Sequence, residues 1–341
     1  METFEYFAHT TGGHLAPIIQ SDGTVSRVPV RWTSDSATHA GRLIKLFLEV
    51  GPILTPEYID IPSISFGDRQ SEGFPVLQNR FCMTVVRNEA DIAQHMSIFG
   101  PITFCLRPSQ VFMLGPVSVS YIPAVNEDER LGLDTSLGIV HRLRELSSFL
   151  QDVELLGFSQ DDEVLRLIEE QRPECFPIGQ VRQKVLEILS ILRMDHSRLL
   201  QLDRTIHAVA QGFYPCGANS EVREKYFQYF WEREWRVIAG VALGGDRSTI
   251  PLTDELRASL MDINYSYFGL PIDQFDLGCP LSSRVVDSCR RFSPSFIDHF
   301  LAAIETVFID RDLHDCDSPV LQDAIQVLNS LHIRIVPISA S

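Results

Sequence analysis

The run Glu232-Arg233-Glu234-Trp235-Arg236 sets two carboxylates two residues apart at the start of an apolar stretch that continues to Ala239. In a strand alternate side chains point the same way, so Glu232 and Glu234 share one face, roughly 7 Å apart at their Cα atoms, while Arg233 and Trp235 face the other way. Two carboxylates on one face repel. One of them then carries a raised pKa, or the pair binds a cationic or hydroxyl group. The same residues also suit a surface lattice in which Glu232 and Glu234 pair with Arg233, Arg236 or Lys225 while Trp231 and Trp235 pack.

Two further stretches carry groups suited to a ligand. In FAHTTGGH (7–14), His9 and Thr10 stand at a strand end before paired glycines, where a ring nitrogen or hydroxyl can bond a ribose or amide; paired glycines also simply make a turn. RWTSDS (31–36) offers the same arrangement at Thr33, with a better-formed helix behind it. His95 falls near the end of a short helix, where a protonated ring would meet the negative end of the helix dipole. The acidic run DRDLHDCD (310–317) mixes hard and soft ligand types in no metal-binding spacing, so it reads as a loop capping the next helix and no metal is expected. No P-loop, GxGxxG, GxSxG or HExxH motif occurs.

These groups need a scaffold. The chain of 341 residues is 45% hydrophobic and 22% charged, a globular composition long enough for one large domain or two ordinary ones. Lys and Arg number 29 against 45 Asp and Glu, a net charge of −16 that repels phosphate backbones and disfavours general nucleic-acid binding. No window approaches the roughly 18 apolar residues of a membrane span and the first residues do not read as a signal peptide, so a cytoplasmic protein is expected. The seven cysteines form no CxxC pair and read as reduced thiols.

Strands are expected over 4–11 and 26–33, a helix over 34–51, further strands in YIDIPSISFG and NRFCMTVV, and a helix over 88–100 capped by Asn88. ITFCL and VSVSYIP follow as an expected strand pair. An acidic connector from 126 leads into a region whose apolar residues recur every three or four positions up to 212, the pattern of packed helices. A helix at 219–230 runs into the strand of WRVIAGVAL, and the tail alternates helix, strand, helix, strand. The expected fold is α+β with a mixed or antiparallel sheet: a core of 1–125 and 220–341 interrupted by a helical insertion at 126–219.

The stretches 81–123 and 224–238 together resemble the AbiGi-like abortive-infection proteins of bacterial phage defence. The likeness rests on Cys82 and Thr84, on His95, Met96, Phe99 and Gly100, on Gly115, Pro116, Val117 and Tyr121, and on Tyr229 and Glu232 to Arg236. It implies a defence role, with a toxin, antitoxin or other complex subunit as protein partner, but no chemistry. Glu-x-Glu at the head of an apolar strand also looks like the glutamate strand of ADP-ribosyltransferase-like proteins. That second likeness implies NAD as a substrate, with Glu234 stabilising an oxocarbenium-like transition state, Glu232 orienting the acceptor or water, and His9 or Thr10 holding the ribose. Thr33, His95, Arg233 and Arg236 complete the candidate NAD-binding set. The alternatives are a non-catalytic regulator that grips a partner through the helical segment, and a ligand sensor that keeps a degraded site.

Overall fold

A computed structural model describes residues 5–11, 18–19, 25–26, 34–61, 64–66, 69–71, 74–123, 134–158, 178–216, 233–239, 249–269 and 284–339. Thr33 and Glu232, and the expected helix at 219–230, lie outside the described residues. The chain divides into two compact units, one of 1–59, 75–119 and 224–341 and one of 60–74 and 120–223.

In chain order the elements are β1 (Tyr6–Thr11), β2 (Ile18–Ile19), β3 (Val25–Ser26), α1 (Ser34–Val50), β4 (Ile53–Ile61), β5 (Ile64–Phe66), β6 (Arg69–Ser71) and β7 (Phe74–Val86). There follow α2 (Glu89–Phe99), β8 (Ile102–Leu106), α3 (Pro108–Val111), β9 (Val117–Ser118), β10 (Ser120–Pro123), α4 (Asp134–Phe158), α5 (Ile178–Ile191), α6 (His196–Gln211) and β11 (Phe213–Cys216). The remainder comprises β12 (Glu234–Ile238), β13 (Thr249–Pro251), α7 (Asp254–Ile263), α8 (Tyr265–Phe268), α9 (Val285–Ser288), β14 (Arg290–Phe292), α10 (Pro294–Ala303), β15 (Ile304–Asp310), α11 (Arg311–His314), α12 (Pro319–Ser330) and β16 (Arg334–Ile338).

The first unit is built on an open mixed sheet in the order β13-β14-β4-β7-β1-β8-β15-β16, with β12 also on β7 and β9 on β12. β15 and β16 run parallel, while β1, β7, β8 and β12 pair antiparallel. The protein is thus mixed α+β. ITFCL and VSVSYIP do not pair with each other. Both edges of β8 are taken, by β1 and β15, and the short helical turn 108–114 with Gly115 at φ 66° redirects the chain so that Val117 and Ser118 join β12 instead.

One face of this sheet holds the main core. α1 contributes Ala37, Ala40, Ile44, Phe47 and Leu48 at helical spacing, and α12 contributes Leu321, Ala324 and Leu328. The two helices meet closely at Gly41, where an added Cβ would stand 2.7 Å from the Leu321 backbone. α1 ends at Gly51, whose φ of 73° suits a residue without a side chain and whose N–H donates to the Phe47 carbonyl. The opposite face carries a smaller cluster in which Ile92 and Met96 of α2 pack on Ala8, Val86 and Cys105. Asn88 caps α2 by accepting from the Asp91 N–H at 3.0 Å, as its position in the sequence implied.

The second unit, taken by itself, is helical. α4 and α6 pack around Leu150, Leu199 and Ile206, with Ser147 donating to Asp203 at 2.6 Å, α5 lies against α4 where Leu189 meets Gly157, and β10 pairs parallel to β11. Among the described residues no helix is long and apolar enough to cross a membrane.

Candidate functional site

The strand β12 sorts Glu234, Trp235 and Arg236 onto two faces. Trp235 pairs with Met83 across β7 and packs into the main core, edge-on to Phe7 and Phe112 at centroid distances of 5.5 and 5.8 Å. Glu234 and Arg236 point the opposite way, beside Thr84 and Cys82. There Arg236 grips Glu234 with two bonds, Nε to Oε1 at 2.8 Å and Nη2 to Oε2 at 3.2 Å. Its side chain is only 2% exposed and that of Glu234 13%. Arg233 stands just before the strand in the left-handed region at φ 44°, so regular pairing starts at Glu234. Its backbone carbonyl accepts the Val119 N–H at 2.9 Å.

Cys82, Thr84 and His95 gather around this ion pair. The Cys82 thiol hydrogen-bonds the Glu234 carboxylate, and burial pushes its pKa up to about 12. His95, which stacks obliquely on Phe99 at 5.0 Å, feels the charges of Asp91 and Glu234. Burial nevertheless outweighs them and lowers its pKa to about 4. The ring is therefore neutral at physiological pH, which removes the expected cation at the helix dipole.

A second feature lies where β1 leaves β7. Their pairing runs Tyr6↔Val86, Phe7↔Val85 and Ala8↔Thr84 and then stops, although β1 continues along β8 as far as Thr11↔Ile102. His9 explains the divergence. Its Nδ1 approaches the Cys82 carbonyl to 2.8 Å, so a side chain rather than the next strand satisfies that oxygen. The ring lies against Phe81 at 4.2 Å and Phe47 at 5.9 Å, and burial lowers its pKa to about 4. Thr10 points to the opposite face and shares a hydroxyl contact of 2.8 Å with Thr103 of β8.

The wedge between the strands opens into a cavity of about 230 Å³. His9, Thr10 and Thr11 line one side and Arg80, Phe81 and Cys82 the other. α1 closes it with Leu43, Leu46 and Phe47, and the turn between α7 and α8 closes it with Asn264, Tyr267 and Phe268. Tyr267 hydrogen-bonds Thr55 on β4, and its pKa is raised chiefly by burial, so the phenol keeps its proton. Asn264 is held in place by accepting the Tyr267 N–H at 3.2 Å.

The structure thus brings His9 and Thr10 to the cavity, and Glu234, Arg236 and His95 to a cluster on one face of the sheet. Glu234 is not among the described residues lining the cavity. Sequence reasoning missed Arg80, Thr55, Asn264 and Tyr267. A local signal exists for Asn264 and Tyr267 alone, in NYSYFG (264–269), an Asn cap before paired aromatics and a glycine. In DRDLHDCD, Asp310 caps α11 by accepting the Asp312 N–H at 3.0 Å, and no group of three or more ligand side chains able to hold a metal occurs among the described residues.

Fold and site define a mixed α+β protein with a mostly apolar, ligand-sized cavity at the point where two central strands part. Comparison with protein-family models, with curated proteins and with solved structures finds no match to this chain.

Proposed function

We propose that the protein is a bacterial phage-defence protein of the abortive-infection type that senses a small molecule in the cleft between β1 and β7, on an ADP-ribosyltransferase-like sheet. The single observation that carries the sensing role is the cavity itself: an apolar pocket with a few polar groups fixed around it, formed where His9 holds the strands apart. The defence setting rests on the resemblance of 81–123 and 224–238. A sensor is favoured over an enzyme because both oxygens of Glu234 are engaged by Arg236, which leaves the carboxylate poorly placed to stabilise a developing cation. In a thermal-shift series with one- and two-ring heteroaromatics, the midpoint should rise with ligand concentration. Leu46→Trp, which projects an indole into the cavity, should abolish the response while the unliganded midpoint changes little. A response that survives Leu46→Trp, or none from any compound, defeats the sensing role.

A second reading keeps NAD as substrate and Glu234 as the reacting carboxylate. It is favoured by Thr10, Arg80 and Cys82, which line the cavity from the sheet face that also carries Glu234. At 230 Å³ the cavity is below the ~300–1,000 Å³ of drug-sized pockets, so it would hold one ring of a dinucleotide and leave the rest to extend along β7. Glu234→Gln retains an acceptor for Arg236 and should preserve the fold. If the protein consumes NAD, wild type should deplete it in cells and in vitro, and Glu234→Gln should not. Stable NAD with wild type, or equal loss with the variant, removes this reading.

A further inference from the structure

The bond that parts β1 from β7 also fixes what His9 offers to the cavity. A carbonyl oxygen can only accept, so the 2.8 Å contact with Cys82 places the ring proton on Nδ1. Burial keeps the imidazole neutral, with its pKa lowered to about 4. Nε2 is therefore a bare acceptor. The ring packs against Phe47 and Phe81, which both line the cavity. Among the described residues Nε2 is neither bonded to a neighbour nor sealed in the core, so the surface it keeps belongs to the cavity.

Other polar groups of the wall are spent on the protein itself: Thr10 on Thr103, Asn264 on the Tyr267 N–H, and Tyr267 on Thr55. Arg80 is likewise engaged within the protein and leaves β7 on the face opposite Phe81, so it offers the space no free charge. The described lining residues include no Asp or Glu. A charged ligand would lose its hydration here without a counter-ion, whereas a neutral donor would satisfy the histidine acceptor. The remaining wall is rich in rings, with Phe47, Phe81, Phe99 and Phe268 around a space of about 230 Å³. Such rings gain most from a flat apolar body, through offset or edge contacts.

We infer that the cavity takes a neutral, planar ligand of one or two rings that donates an N–H or O–H to Nε2 of His9, with its rings against Phe47, Phe81 and Phe268. This rests on the sensing role proposed above and specifies its ligand class. The donor then decides affinity, because an analogue of nearly the same outline that lacks one leaves Nε2 desolvated and unpaired.

Calorimetry on the full chain tests this by comparing indole with benzofuran and 2-naphthol with naphthalene, pairs that differ chiefly in the donor. Each donor should bind wild type roughly five- to tenfold more tightly than its partner compound. His9→Phe keeps a ring at the site but removes the acceptor, so the preference should vanish. His9→Asn keeps a donor for the Cys82 carbonyl without the imidazole acceptor; it should lose the preference too, and it decides the matter if His9→Phe does not melt cooperatively. In wild type carrying isotopically labelled histidine, indole should shift the resonance of the unprotonated His9 nitrogen and benzofuran should not. Equal binding within each pair, a preference unchanged in the His9 variants, or an unmoved nitrogen resonance overturns the donor assignment and leaves the sensing role standing. Failure of all four compounds to bind wild type overturns the ligand class, whereas a response to other ring compounds that Leu46→Trp abolishes would still support sensing.

Discussion

Replacing Arg236 with methionine should cost about 3–5 kcal/mol of stability, the range for breaking a buried ion pair by removing one partner. The substitution deletes a guanidinium only 2% exposed and leaves the Glu234 carboxylate, 13% exposed, without the two bonds that held it. The melting midpoint should fall by roughly 10 °C. The loss arises mainly from the stranded carboxylate, so the double variant Arg236→Met/Glu234→Leu should recover most of it, a coupling that a double-mutant cycle in urea reads directly. If Arg236→Met costs under about 1 kcal/mol, the pair behaves like a solvent-screened surface bridge and its burial carries no weight.

Stability should also fall steeply between pH 7 and pH 5, before most carboxylates titrate. His9 and His95 each have a folded pKa of about 4, below the ordinary 6.5, because burial penalises their charged forms. Between those values the unfolded chain binds more protons than the folded one, so stability is fully present above about pH 6.5 and is lost as pH falls toward 4. Each ring accounts for about 2 kcal/mol of loss by pH 5. The urea midpoint measured at pH 7, 6 and 5 should therefore drop progressively. His9→Phe should flatten about half of the slope, at the expense of a lower midpoint at pH 7 because the Cys82 carbonyl loses its partner. A pH slope identical in His9→Phe would mean that the ring is not desolvated.

How far the sequence reveals this molecule depends on the range of the interactions that fix each part. α1, α2 and the C-terminal helix-strand alternation were legible because periodicity and caps are local: Asn88 accepts from a residue three positions on, and Ser318 stands before Pro319 at the head of α12. The strand pairing of VSVSYIP was misread because it follows ITFCL closely in the chain, and only the occupied edges of β8 decide where β9 goes. EREWR was legible as a strand that separates Trp235 from Glu234. The partner of Glu234 was not, since a surface lattice and a ligand site demand the same residue types and only burial distinguishes the deep Arg236 from an exposed arginine. The cavity was least legible of all. It depends on a contact between residues 73 positions apart, which no window of sequence contains.

The place of β1 has a consequence for how the molecule comes into being. Although first in the chain, it lies inside the sheet with β7 and β8 as neighbours, and β7 in turn waits for β12 and β8 for β15. During synthesis the helices α4, α5 and α6 emerge together and pack locally, whereas the cleft-bearing sheet cannot close until residues beyond 300 have been made. The cleft between β1 and β7 is thus among the last features to form, after the helical unit has had its whole sequence available.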